Sequence, residues 1–353
     1  MKIALIPPPL LLTPPSGYGG LERVVYDLGC ALVQQGHDVT LFAPPGSKID
    51  GGTLVETIPS CGVTNVNWVQ KEVDAFGVYK DMLGDFDIIH DNSWFGMAYM
   101  AKCNSKYKDI KICHTHHGHL DWNVDRIVPE IGKPNLIAIS EFMKTEYANQ
   151  KWESRYVYNG IDMSEYPMRD LGKDTISDPR IVFVGRISKF KMPHAAIKAA
   201  VESNIPIDII GGTFVDDPAY VENIKKECEN SNGLATLHLD ISNAEKVSMV
   251  RGASAQLVPS KMGEPFGLIA VEALSCGTPV IAFDDGALKE IVNTKKIGTI
   301  CKDYDEFLTA VKNTPKAGYD PVACRTRAEY FSRERMAERY VKVYNDVISG
   351  KNW

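Results

Sequence analysis

Two carboxylates, Glu264 and Glu272, bracket an otherwise apolar run, GEPFGLIAVEALSCGTPVIAF at residues 263–283. A helix that is apolar all round is a buried one, so Glu272 needs a partner or has to be neutralised. Glu264 precedes the run, near backbone N–H groups that attract anions at a helix start. An acid beside an anion-friendly site suits a ligand carrying both hydroxyls and phosphate. The bland alternative is that Glu272 pairs with an arginine while Glu264 only caps. Two cations stand in GRISKFK, where Arg186 and Lys191 follow the apolar strand IVFV. Such a pair at the mouth of a sheet can hold a pyrophosphate, the guanidinium through parallel hydrogen bonds and the ammonium as a point charge. The alternative is a solvated basic loop.

Half of the eight histidines lie in HTHHGH at 114–119. His-x-His on a strand puts two imidazoles on one face, which raises the question of a metal. No carboxylate pair completes a ligand set there. The preferred reading puts one histidine at the carboxyl end of the strand, pointing into a cleft, and leaves the others structural. GYGGLE at 17–22 is not a dinucleotide fingerprint, because Glu22 stands at its sixth position and the loop from Ile6 is long. Gly19 and Gly20 nonetheless open a helix and let backbone approach a phosphate.

Elements of two kinds must place these residues. Ile3–Ile6 reads as a strand, and Leu21, Val24, Val25, Leu28 and Leu32 fall on one face of the helix after it. Gly36 ends that helix and Val39–Ala43 is the next strand. Further strands are predicted at Ile88–His90, Ile110–Cys113 and Leu136–Ile139. The second half repeats the scheme with a strand Ile181–Val184, a helix Pro193–Glu202, and strands Ile207–Ile210, Gln256–Pro259 and Val280–Phe283. Pro265 suits the first turn of the helix in the glutamate run, Gly277 stops it and Pro279 prevents its resumption. Alternation of strand and helix in both halves predicts an α/β fold of two Rossmann-like lobes with parallel sheets. The join is expected near 160–178, a polar stretch with two prolines, and Arg325–Ile348 has helical spacing. Ligands in such sheets bind beyond the carboxyl ends of the strands, so two facing lobes would put the chemistry in a central cleft.

The 353 residues suit two domains. A net charge of −6 argues against broad nucleic-acid binding. Eight scattered cysteines without a C-x-x-C pair fit a reducing cytoplasm and no structural zinc. The opening MKIALIPPPLLL is too short and too broken by proline for a signal peptide, and no run of about eighteen apolar residues suggests a membrane span. Lys102, Lys106, Lys108 and Lys111 form either a solvated edge, the preferred reading, or a contact for anionic lipid. The expected location is the cytoplasm, with peripheral attachment at the inner membrane face left open.

Taken together, GYGGLE, HTHHG, ISEFMKT, YVYNGID, FVGRISKFK, IIGG and EPFGLIAVEALSCGTPVIA resemble the retaining glycosyltransferases of the GT-B fold, family 4, over nearly the whole chain. Glu264 and Glu272 are the two acids of that family's E-x7-E motif. The resemblance implies domains at 1–165 and 166–334, with a helix at about 335–353 packing back on the first. It implies a nucleoside-diphosphate sugar as donor, a UDP- or GDP-hexose of glucose or mannose type, and a sugar, lipid-linked or small-molecule acceptor. It assigns Glu264 to hydroxyls of the donor sugar and Glu272 to the ribose diol. Phe266, Gly267 and Leu268 would offer backbone N–H groups, and Ile241 would meet the base through its backbone. Arg186 and Lys191 would neutralise the pyrophosphate, Gly19 and Gly20 would approach it, and His117 would contact the sugar, with His116 as the fallback register. No metal or other cofactor is expected, since these cations and a helix dipole can stabilise the leaving group, and the one D-x-D, DFD at 85–87, stands ahead of a strand.

Two departures from the family pattern stand out: Met192–Pro193 follow Lys191 where a glycine is usual, and IIGG runs into TFVDDP. Both bear on nucleotide choice and loop shape. The competing functions are a non-catalytic sugar-nucleotide-binding protein and a GT-B epimerase or phosphorylase. Acceptor choice is not decoded; Trp68, Trp94 and Trp122 are candidates to stack on a sugar, with packing as the alternative.

Overall fold

The computed structural model describes residues 1–17, 19–120, 132–172, 179–212 and 217–353. The chain divides into two compact units, one formed by Met1–Gly160 with Arg333–Trp353 and the other by Ile161–Ser332.

In the first unit the strands β1 (Lys2–Ile6), β2 (Asp38–Ala43), β3 (Thr53–Glu56), β4 (Ile88–Asp91), β5 (Ile112–His116), β6 (Leu136–Ala138) and β7 (Arg155–Tyr156) form one sheet in the order β3-β2-β1-β4-β5-β6-β7. Neighbours run parallel, with Ile3 opposite Val39 on one side and Ile88 on the other. The inner strands are buried along their length, as helix-covered parallel strands are; β1 is apolar after Lys2, whereas β4 and β5 turn polar toward their carboxyl ends with His90, Asp91, His114 and His116. Helix Gly20–Gln34 covers the sheet through Val24, Val25, Leu28 and Leu32. Helix Arg333–Ile348 buries Met336, Ala337, Tyr340, Val343, Tyr344 and Val347, a stripe at helical spacing. It is fastened by polar bonds as well: the Tyr344 hydroxyl lies 2.8 Å from His90 Nδ1, and the Tyr340 hydroxyl 3.0 Å from Thr115 Oγ1. Trp353 donates its backbone N–H to Asn135 Oδ1 and its indole N–H to the Leu136 carbonyl.

The second unit holds β8 (Ile181–Val184), β9 (Ile207–Gly211), β10 (Ala235–Leu239), β11 (Ala255–Val258), β12 (Val280–Phe283) and β13 (Gly298–Cys301), all parallel in the order β10-β9-β8-β11-β12-β13. Its core gathers Ile181, Phe183, Ile207, Ile209, Leu257, Ile281, Phe283 and Phe307. Both sheets are the Rossmann-like α/β layers that the alternation predicts.

The structure adjusts several boundaries. The strand expected at Ile110–Cys113 runs from Ile112 to His116, so it carries the histidines. The C-terminal helical stretch is two helices, Pro321–Glu329 and Arg333–Ile348. Between them Phe331 accepts a backbone bond from Ile161 and Ser332 bridges Ile161, which interrupts the ladder. Pro265 lies outside its helix, which begins at Leu268 because Gly267 sits at φ 102°, a left-handed conformation no helix contains. Gly277 ends that helix as expected, at φ 77° with its N–H on Leu274 and the next N–H on Ala273. Among the described residues, no helix is long and apolar enough to cross a membrane.

Candidate functional site

In each sheet the chain builds strands outward in one direction, then returns to the centre and builds outward in the other. The reversal lies between β1 and β4 in the first unit and between β8 and β11 in the second. At such a point neighbouring loops part, and the crevice beyond the carboxyl ends is where ligands bind in open α/β sheets.

In the second unit the predicted residues fall at that point. Arg186 follows β8, and Lys191 lies on the next turn, held by its N–H to the Ser188 carbonyl. Glu264 is on the loop after β11 and is buried. The Lys191 ammonium donates to Glu264 Oε2 at 2.5 Å, so the first acid and the second cation form one ion pair. The two loops are also tied by backbone, Lys261 N–H to the Phe190 carbonyl at 3.0 Å. Phe266, Gly267 and Leu268 lead into helix Leu268–Ser275. The Phe266 ring is core, edge-on to Phe331 with centroids 5.6 Å apart, so only its backbone is available to a ligand. Gly267 caps the helix without a side-chain acceptor. A larger residue there is strained by the φ of 102°, and its Cβ would also press on the Leu288 side chain at 2.9 Å.

Glu272 stands one turn into that helix, and its partner is Lys246, not an arginine: Nζ to Oε2 is 2.9 Å. Lys246 comes from helix Asn243–Gly252, which opens with a capping box between Ser242 and Glu245. Ile241 is half-buried on the loop just before that box. Sequence reasoning missed Lys246, although the S-x-x-E spacing at 242–245 marks the helix start that places it. It also missed Asp285, after β12, whose carboxylate accepts the backbone N–H groups of Met262, Gly263 and Glu264 at 3.0, 3.0 and 3.1 Å.

The first unit gathers a different set. Gly19 and Gly20 lie at the start of helix Gly20–Gln34, after β1, and Glu22 in its first turn is buried with its pKa pushed up to about 7 by desolvation. His114 and His116 are buried on β5, their rings 6.0 Å apart. His114 Nδ1 lies 3.7 Å from Asp91 Oδ2 at the end of β4. His116 Nε2 is 3.1 Å from the His119 carbonyl. His117, just past the strand, is half-buried with Nε2 3.0 Å from Asn92 Oδ1. His117 thus stands at the carboxyl end with a side-chain partner on the neighbouring strand's loop.

Burial fixes the protonation of this region. Desolvation drives the pKa of His90 and of His116 down to about 3 and that of His117 well below its ordinary value, the neighbouring imidazoles adding to the shift. Glu72 reaches about 8 through desolvation and the nearby Asp91, although it accepts the N–H groups of Trp94 and Phe95 at 2.7 and 3.0 Å. Asp91 is held low: burial would raise it, but bonds from His114 and Ser93 prevail. Among the described residues no group of three or more His, Cys, Asp or Glu is arranged to hold a metal. Asp87 of DFD accepts the Lys2 N–H at the amino end of β1, away from the carboxyl ends. Trp68 and Trp94 pack against each other with centroids 6.1 Å apart and rings tilted by 43°; Trp122, and residues 213–216 after IIGG, lie outside the described residues.

The match to known proteins spans both units. Residues 18–165 match the family described as Glycosyltransferase Family 4, and residues 172–314 match Glycosyl transferases group 1. The chain is 29% identical to a D-inositol 3-phosphate glycosyltransferase of Rhodococcus opacus, across 95% of its own length and 87% of the relative's. It is 25% identical to the glycogen synthase of Mycobacterium tuberculosis, across 93% of its length and 89% of that protein's. Its fold superposes on the Anabaena protein HepE, solved in complex with UDP-glucose, with a TM-score of 0.75 at 15% identity, over 98% of this chain and all of the other. With two parallel Rossmann-like sheets and both halves matched, the chain belongs to the GT-B glycosyltransferases of family 4, the group 1 glycosyl transferases.

Proposed function

We propose that this glycosyltransferase moves a hexose from a UDP- or GDP-linked donor of glucose or mannose type to a hydroxyl of a glycan, glycolipid or small molecule, with retention at the anomeric carbon and without a metal. The observation that carries the reading is the Lys191–Glu264 pair at the strand-order reversal, with Arg186 on the same loop as the lysine. Departure of a nucleoside diphosphate builds negative charge on its phosphates, and fixed cations at that place stabilise it. Lys191 and Arg186 take that role, helped by the uncapped N–H groups at Gly267 and Leu268. Glu264 accepts hydroxyl protons of the sugar, and Lys191 holds its carboxylate aimed before any donor arrives. Glu272, steadied by Lys246, accepts the ribose diol, and the backbone at Ile241 meets the base. The assignments of Gly19 and Gly20 to phosphate and of His117 to the sugar belong to the same proposal.

In the proposed front-face displacement the bond from the anomeric carbon to the diphosphate oxygen breaks and the acceptor oxygen bonds the same face. The acceptor's proton passes to the departing phosphate. HepE, of the same fold, is known with UDP-glucose, which favours that donor for the first trial. The purified protein is incubated with UDP- and GDP-hexoses, crude acceptor extract and EDTA, and release of nucleoside diphosphate is followed. Release from at least one donor with the chelator present is expected. No release from any donor favours the sugar-nucleotide-binding reading, and release that EDTA abolishes removes the metal-free claim. The product's anomeric coupling constant tests retention.

A further inference from the structure

We propose that Asp285 is a positioning residue for Glu264, setting the aim of the carboxylate that faces the donor sugar; this rests on the role given to Glu264 above. One Asp285 carboxylate takes three consecutive N–H groups, Oδ2 from Met262 and Glu264 and Oδ1 from Gly263. A carboxylate that accepts several backbone N–H groups makes strong, charge-assisted bonds and fixes the direction of the peptide planes it holds. The other side of Glu264 is fixed by the residues next to Asp285: the Ala287 N–H donates to the Glu264 carbonyl at 2.9 Å. Gly286, at φ 59°, lets the two segments touch, since a Cβ there would lie 2.3 Å from the Glu264 carbonyl oxygen and 2.4 Å from its nitrogen. Asp285, Gly286 and Ala287 thus hold both the amide and the carbonyl of Glu264. The Glu264 side chain leaves a backbone held at both its amide and its carbonyl and meets Lys191. Three loops, after β8, β11 and β12, are tied into one frame in which Asp285 is the anionic knot.

Misplacement of a reacting group by about 1 Å costs on the order of 10²-fold in rate. Asp285→Asn keeps the shape but puts an NH₂ against backbone N–H donors. It is expected to lower kcat by about 10²-fold while the donor KM stays close to wild type; the lost bonds lower the melting temperature as well, and comparison of two backgrounds separates the two effects. Loss of aim matters only while there is a carboxylate to aim. In a Glu264→Gln background, with slow turnover followed over hours, Asp285→Asn should therefore add little. Equal fold losses in the two backgrounds, or wild-type kcat in Asp285→Asn, would overturn the proposal. Should Asp285→Asn not fold, Asp285→Ser, which sets no NH₂ against the backbone donors, is carried through the same cycle with a loss of kcat again expected. Wild-type protein that turns over no donor would instead remove the reading of Glu264 itself, and this proposal with it.

Discussion

The two sheets share a topology, with strand order reversing at the centre and polar residues collected at the same end, yet they treat charge in opposite ways. At the carboxyl ends of the second sheet the acids are paired with lysines, Glu264 with Lys191 and Glu272 with Lys246. In the first unit burial suppresses charge on most groups: His90 and His116 stay neutral down to about 3 and Glu72 holds its proton up to about 8, while Asp91 is the exception, held low by its bonds from His114 and Ser93. One layered architecture therefore carries lysine–glutamate pairs in one unit and a mostly neutral buried cluster in the other, and the choice lies in a few side chains. Ion pairs that keep some solvent access suit a charged ligand, because the pair can be reshaped without a large desolvation penalty. Neutral buried groups offer hydrogen bonds of fixed direction, which suits a ligand of hydroxyls.

The contrast breaks most visibly if the paired charges prove idle. Lys191→Ala should reduce kcat by about 10²–10³-fold, the scale of losing one preorganised group that stabilises developing negative charge. Steady-state release of nucleoside diphosphate measures it, and near-normal turnover would mean that this end of the second sheet is not where the phosphates sit. The uncharged side is sharpened by pH. Glu72 has its pKa raised from 4.5 to about 8, so the stability tied to its neutral form is complete below 4.5 and is lost as pH rises through about 8. His90 and His116 run the other way, their contribution present above 6.5 and lost as pH falls through about 3. Glu72→Gln should flatten the alkaline limb of the stability profile by a few kcal/mol at most, since each tenfold change in proton affinity is worth about 1.4 kcal/mol, and leave the acid limb in place. Urea unfolding across pH 5–8.5 reads both limbs, and an unchanged alkaline slope would show that Glu72 ionises freely. The smallest effect is expected at Lys246, whose pair with Glu272 keeps some solvent contact at both members. Lys246→Met should change unfolding free energy by no more than about 1 kcal/mol, and a loss several times larger would make that pair a structural strut.

Much of this arrangement is legible in the residues, and the parts that are not share a cause. The central strands announce themselves because both faces are covered, so Ile181–Val184 and Val280–Phe283 appear as unbroken apolar runs with the bounds the structure gives them. The strands that sequence pattern leaves unread are β3, β7, β10 and β13, which are the edges of the two sheets. Edge strands are only half covered: Thr53–Glu56 and Ala235–Leu239 mix exposed with partly buried positions, and their patterns carry no clear period. The two glutamates and the cations Arg186 and Lys191 are visible by type and spacing, but the groups that pair with them are not. Lys246 sits in a polar helix that looks like any solvated surface, and Asp285 stands in an Asp-Gly pair after a strand, which reads as a plain turn. Which lysine meets which acid depends on strand order, and strand order is not written in local pattern.

Because helix Arg333–Ile348 lies against β4 and β5 and Trp353 bonds Asn135 and Leu136, the first unit is assembled from both ends of the described chain. Everything from Ile161 to Ser332 leaves the ribosome before that helix does. The unit synthesised first is thus the one finished last, and during the interval its His90 and Thr115 face the place where Tyr344 and Tyr340 will dock. A growing chain of this design holds a half-covered sheet in waiting, a state that chaperones or rapid docking must shelter.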